Sequence, residues 1–174
     1  LTAAAVMLAS GCGVLESGEA SNQGPVTTTR DIDTIVVFDP CTQINDDVLA
    51  SVGLDPASKS VVTNAAEGPT SWRVCSWTPA DIRYSVGVYS TSHTLEETRK
   101  NDDVIGIREI TVGGRPGLTF HAKWEAENNC YVAFEAQQGM FEVDASWLDG
   151  NPSEGDICAI AMQHALAFEP HLPD

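Results

Sequence analysis

Four cysteines, Cys41, Cys75, Cys130 and Cys158, are spread along this 174-residue chain, and they constrain its fold more than any other feature. They form no C-x-x-C pair and no Cys/His pair at ligand spacing, so neither a metal site nor a redox pair is expected, and no cofactor is. Four cysteines in an exported domain predict two disulfides, with three connectivities open. The favoured pairing is Cys41–Cys75 and Cys130–Cys158, because each bridge then ties a helix end to a strand in its own half of the chain. On the loop-entropy model each bridge contributes roughly 3–4 kcal/mol.

Export is the reading of the fifth cysteine, Cys12. Residues Leu1 to Ala9 are apolar and mostly small, and Ser10-Gly11-Cys12 follows directly. That is the apolar region and cleavage site of a secretory signal, too short for the roughly 20 residues that span a bilayer. Leu8-Ala9-Ser10-Gly11-Cys12 resembles a bacterial lipobox, with Ala9 where a larger aliphatic is usual. The basic residues that normally precede such a run are expected upstream of Leu1. The thiol of Cys12 would accept a diacylglycerol, and two or three acyl chains anchor firmly where one does not. Residues 13–36 are rich in Gly, Ser, Thr and Glu and read as a disordered tether. Residues 37–174 form a single domain, expected to be a monomer.

Periodicity within that domain alternates between strand and helix. Ile35–Phe38 is strand-like, and Asp39-Pro40-Cys41 reads as a turn. A helix follows over about 45–52, with Asn45 as N-cap and Asp46 and Asp47 in its first turn. Strands are predicted near 71–78 and 82–90, the second from the alternation of Ile82, Tyr84, Val86 and Val88. Thr94-Leu95-Glu96-Glu97 is a capping box that opens a helix to about Asp103. After Gly106, Ile107–Val112 turns at Gly113-Gly114 into a strand with Leu118, Phe120, Ala122 and Trp124 on one face and Thr119, His121 and Lys123 on the other. A second hairpin runs over 130–137, turns at Gln138-Gly139 and returns over 140–146. The last helix, capped by Ser153 with Asp156 completing a box, carries Ile157, Ile160, Ala161, His164, Ala165 and Phe168 on one stripe. The fold class is therefore α+β, an antiparallel sheet with helices packed on it.

The formal charge of −16 excludes nucleic acid as a partner and argues against a basic membrane-binding patch. No G-x-S-x-G elbow or H-E-x-x-H occurs, so no catalytic residue is assigned. An enzymatic alternative, an envelope hydrolase, would need a histidine beside a carboxylate, for instance His121 with Glu135. Trp72 and Trp77 bracket Cys75, and Trp124 and Trp147 fall at strand ends. Core packing accounts for them, and an aromatic-lined groove is the functional alternative.

Several of these pieces occur together in a known family. The lipobox-like start, Phe38-Asp39-Pro40-Cys41, Cys75-Ser76-Trp77, Val112-Gly113-Gly114-Arg115-Pro116 and the Cys158 helix ending in Leu172-Pro173 resemble the actinobacterial exported proteins grouped as domain of unknown function 3558. The resemblance covers about residues 37 to 173. It implies a cell-envelope address and a compact α+β domain, related to the Mog1/PsbP-like sandwich, and brings no activity. The expectation is a lipoprotein outside the cytoplasmic membrane, held by lipidated Cys12. It would bind an apolar small molecule or an envelope protein, the alternatives being a hydrolase and a purely structural surface protein.

Overall fold

The computed structural model describes residues 31, 35, 37–64, 69–148 and 155–174, all within one compact unit, Asp31–Asp174. Cys12 with its signal, nearly all of the tether, and the Ser153 cap lie outside the described residues. Two short helices, α1 (Pro40–Gln43) and α2 (Asp46–Ser51), lead into β1 (Ser60–Thr63), β2 (Trp72–Trp77) and β3 (Tyr84–Thr91). Then come α3 (Leu95–Thr98), β4 (Val104–Val112), β5 (Arg115–Ala122), β6 (Asn129–Ala136), β7 (Gly139–Trp147) and α4 (Ile157–Phe168). The strands form one antiparallel sheet in the order β1-β2-β3-β7-β6-β5-β4. Two meanders thus meet along β3–β7, and β7 is the middle strand.

One face of the sheet carries the main core. From α4, Ala161, His164, Ala165 and Phe168 point inward at helical spacing. They pack with Val132, Phe134, Phe141 and Val143, while Cys41, Ile44 and Leu49 of α1 and α2 close the β2 side. The two cysteine pairs are bonded as favoured, Cys41–Cys75 with Cα atoms 5.2 Å apart and Cys130–Cys158 at 5.0 Å. Each joins a helix to a strand of this face.

Several local expectations are corrected. Asp39-Pro40-Cys41 is the start of α1, with the Asp39 carboxylate accepting from the Cys41 N–H and Pro40 opening the helix. Ile82 lies outside β3, exposed and with φ 51°, so the strand begins at Tyr84. The capping box at Thr94 is present, but α3 is a single turn, because Asn101 takes up the Asp103 N–H and the chain turns into β4. Gly106 does not precede β4; it sits within it at φ 68°, where the register with β5 shifts between Ile105 and Arg108. The second hairpin turns one residue early, at Gln137-Gln138, since Ala136 pairs with Gly139. Asp156 itself caps α4, accepting from the Cys158 N–H at 2.9 Å.

Arg115, in the Gly113-Gly114-Arg115-Pro116 turn, fastens the C-terminus. It bonds Glu169 at 2.8 Å and donates to the carbonyls of Pro173 (2.7 Å) and Leu172 (3.1 Å). Gly113 gives Glu169 its space, because a Cβ there would collide with the carboxylate. Arg115→Ala should therefore cost about 2–3 kcal/mol in urea denaturation, with faster amide exchange over 169–174. Arg115→Lys should not restore it, since one ammonium cannot reach all three acceptors in the guanidinium's fork.

Candidate functional site

The opposite face of the sheet carries none of the main core, and here polar groups are buried. Along β7, Phe141, Val143 and Ala145 point toward α4, so Met140, Glu142 and Asp144 point away. Strand register sets Glu142 between Tyr89 and Ala133, and Asp144 between Gly87 and Tyr131. Because Gly87 has no side chain, the Asp144 carboxylate can lie over it; a Cβ would collide with Oδ1. Asp144 accepts from the Gly87 N–H and from the Ser146 hydroxyl, both at 2.8 Å.

Both acids are buried. Burial, with the charge of Asp144 adding to it, pushes the Glu142 carboxyl up to about 8. Burial also lifts Asp144 to about 6, against the lowering effect of its Ser146 and Gly87 hydrogen bonds. The Tyr89 and Tyr131 hydroxyls are raised beyond the usual tyrosine range, by burial first and then by Asp144. Both carboxyls are thus pushed toward their protonated forms, Glu142 with the charge of Asp144 adding to burial.

A row of rings crosses this face. Phe120 stacks on Tyr131 at 5.2 Å, Tyr131 meets Tyr89 edge-on at 5.8 Å, and Tyr89 meets Trp72 at 6.4 Å. Trp72 in turn lies 5.3 Å from the His93 ring. Around this row Leu95, Leu118, Phe120, Ala133 and Met140 form a second apolar cluster, joined by Trp72, Val104, Ile107 and Tyr131. Among the described residues only the one-turn α3 contributes a helix to this cluster, through Leu95. Beside it opens a cavity of about 440 Å³ lined by Trp72, His93, Glu97, Thr98, Asn101 and Met140.

The four tryptophans are not brought together. Trp72 lines the cavity; Trp77 and Trp147 are buried on the α4 face; Trp124 lies beyond β5, 69% exposed. The histidines are also dispersed. His93 contacts Glu97 at 3.4 Å, but that carboxylate already accepts from the Thr94 N–H at 2.7 Å in the capping box. His121 faces the α4 side of the sheet, whereas Glu135 shares the alternation of Tyr131 and Ala133 on the other side, so the pair considered for a hydrolase is separated. His164 is buried in the core with Nε2 3.3 Å from the Tyr84 hydroxyl, and burial lowers it to about 4. Sequence reasoning missed Tyr89, Tyr131, Glu142 and Asp144. Their one signal was the acid-bearing alternation within an otherwise apolar β7, which equally describes a strand with one wet face.

Among the described residues no helix is long and apolar enough to cross a membrane. No curated protein and no solved structure matches the chain. A model of the family described as "Protein of unknown function (DUF3558)" matches residues 7–171, nearly the whole length. The motifs that suggested this kinship act here as pins, Cys41 and Cys75 bridging α1 to β2 and Arg115 holding the C-terminus. The chain belongs to the DUF3558 family.

Proposed function

We propose that this protein is a lipid-anchored, non-enzymatic binding module of the cell envelope. Its ligand, a small apolar or amphipathic molecule, would enter the cavity beside Trp72. One observation carries the reading. The sheet face away from α4 holds a second apolar cluster and an aromatic row, and they border an open cavity of about 440 Å³. That volume falls within the range of small-molecule sites, and the lining combines apolar surface with a few polar groups that could orient a ligand. Lipidation at Cys12, the tether over 13–36 and a place outside the cytoplasmic membrane belong to the same proposal. They rest on the apolar run and small residues before Cys12 and on the composition that follows.

The neutral probe N-phenyl-1-naphthylamine tests the binding site, because an anionic dye would be repelled by the net charge of −16. Its fluorescence should rise saturably with the wild-type domain, and Trp72→Ala should weaken binding roughly tenfold, while Trp124→Ala should not change it. Equal binding by the Trp72 variant, or no saturable binding, would reject this site. Mass spectrometry of the protein from its native envelope should find a diacylglyceryl group on Cys12; a soluble, unmodified mature form would reject the anchor.

A further inference from the structure

The sequence gives no metal-ligand spacing, yet the fold brings three ligand atoms together. The sulfurs of Cys130 and Cys158 and a ring nitrogen of His121 lie within 4.8 Å of one another. They come from three elements: β5–β6 pairing brings His121 beside Cys130, and the first turn of α4 brings Cys158 down onto both. With the disulfide closed these sulfurs have no thiolate to offer. We propose that this bridge is a redox-gated metal site: when it is reduced, Cys130, Cys158 and His121 hold one thiophilic divalent cation, zinc(II) being the chemical type.

Histidine geometry is the first support. His121 Nδ1 lies 2.6 Å from the Asn129 carbonyl oxygen. A carbonyl only accepts, so Nδ1 carries a proton, and in the neutral ring the lone pair is then on Nε2. That lone-pair nitrogen is the one 3.7 Å from Cys158 Sγ. A backbone carbonyl fixing the far nitrogen is how metal-binding histidines are commonly oriented. Gly106 lies beside the same ring, since a Cβ there would come within 3.2 Å of His121 Cδ2.

Access and ligand number are the second support. A cavity of about 540 Å³ opens onto this site, with His121, Asp156, Cys158 and Met162 among its lining. Cys130 is fully buried and Cys158 is partly exposed, so an incoming reductant meets the Cys158 sulfur first. Cys158 also stands in the first turn of the twelve-residue α4, where the helix dipole favours a thiolate. The other bridge has Cys75 fully buried, and among the described residues no histidine joins its sulfurs in such a cluster. Two thiolates and an imidazole leave a fourth tetrahedral position, which water or the Asp156 carboxylate could take.

The chemistry balances with a dithiol as reductant. The dithiol delivers two electrons and two protons, Cys130 and Cys158 become thiols, and the dithiol closes to its own disulfide. Metal entry then replaces both thiol protons, forming two metal–sulfur bonds and releasing two protons to solvent.

Cobalt(II) is the probe, added anaerobically to the whole chain after reduction by a trialkylphosphine, which does not itself compete as a thiol. Reduced wild type should take one equivalent and show sulfur-to-cobalt charge-transfer absorption; the oxidised protein should show none. His121→Ala should weaken binding roughly tenfold or more, and C130S/C158S, which retains Cys41 and Cys75, should abolish the absorption. Near-ultraviolet circular dichroism monitors folding, and cobalt should raise the melting temperature of the reduced wild type but not of C130S/C158S. Equal binding by C130S/C158S, indifference to His121→Ala, or a reduced chain that neither binds cobalt nor refolds with it would overturn the proposal.

Discussion

Glu142→Gln is expected to stabilise the protein at pH 8 by about 2–4 kcal/mol while changing little at pH 4.5. Glu142 is buried at the centre of the sheet, and its carboxyl is raised from 4.5 to about 8. The unfolded chain releases this proton near 4.5, whereas the folded chain keeps it until about 8. Between those values the folded state binds more protons, so stability is fully present below the unfolded value and is lost as pH rises through the folded one. Asp144, raised from 3.8 to about 6, acts in the same direction over a lower window. His164 acts oppositely, because burial lowers it from 6.5 to about 4 and stability is lost as pH falls between those values. Two raised carboxyls outweigh one lowered histidine, so these three groups together make stability fall as pH rises from about 4 to 8, with His164 only moderating the fall below about 6.5. Urea denaturation at a series of pH values checks this. The Gln variant should remove the part of this fall that Glu142 causes between about pH 4.5 and 8; a variant less stable than wild type at pH 8 would show that the ionised carboxylate is held by compensating contacts.

Removing the Cys41–Cys75 bridge, as C41A/C75A, should cost about 3–4 kcal/mol on the loop-entropy model for its sequence separation of 34. The loss should be local at first. The bridge fastens α1 to β2, and α1 and α2 bring Ile44 and Leu49 into the main core. Asp39 remains as a weaker tie, near Arg73 at 3.9 Å and hydrogen-bonded by Asn64. Hydrogen exchange should therefore rise over 40–54 while α4 keeps its protection. Uniform exchange across the domain would mean that the bridge supports the whole sheet rather than one corner.

These two cases also mark what can be read from the chain. The disulfide pairing, the capping box, the Gly113-Gly114 hairpin and the stripe of α4 were legible, since each is a short-range pattern with one dominant physical cause. Strand β1 was not: Ser60-Val61-Val62-Thr63 is short and exposed throughout at the sheet edge, so no alternation marks it. Helix α1 is too short to show a helical period. Burial of Glu142 and Asp144 was hidden because alternating acids along a strand ordinarily indicate solvent; only the central place of β7 in the sheet order changes that. The tryptophans mislead for a related reason. Position in a strand fixes the face on which a ring lies but not what covers that face, and only Trp72 of the four reaches the cavity. His121, Cys130 and Cys158 converge through strand pairing and helix docking, which no spacing rule encodes.

The proposed binding face is the sheet face away from α4. An amide NMR map of the domain titrated with N-phenyl-1-naphthylamine tests that most directly. Shifts should concentrate at Trp72, His93, Thr98, Asn101 and Met140, the lining of the cavity, and leave Ala161, Ala165 and Phe168 of α4 unmoved. Shifts centred on α4, or none at saturating probe, would contradict it.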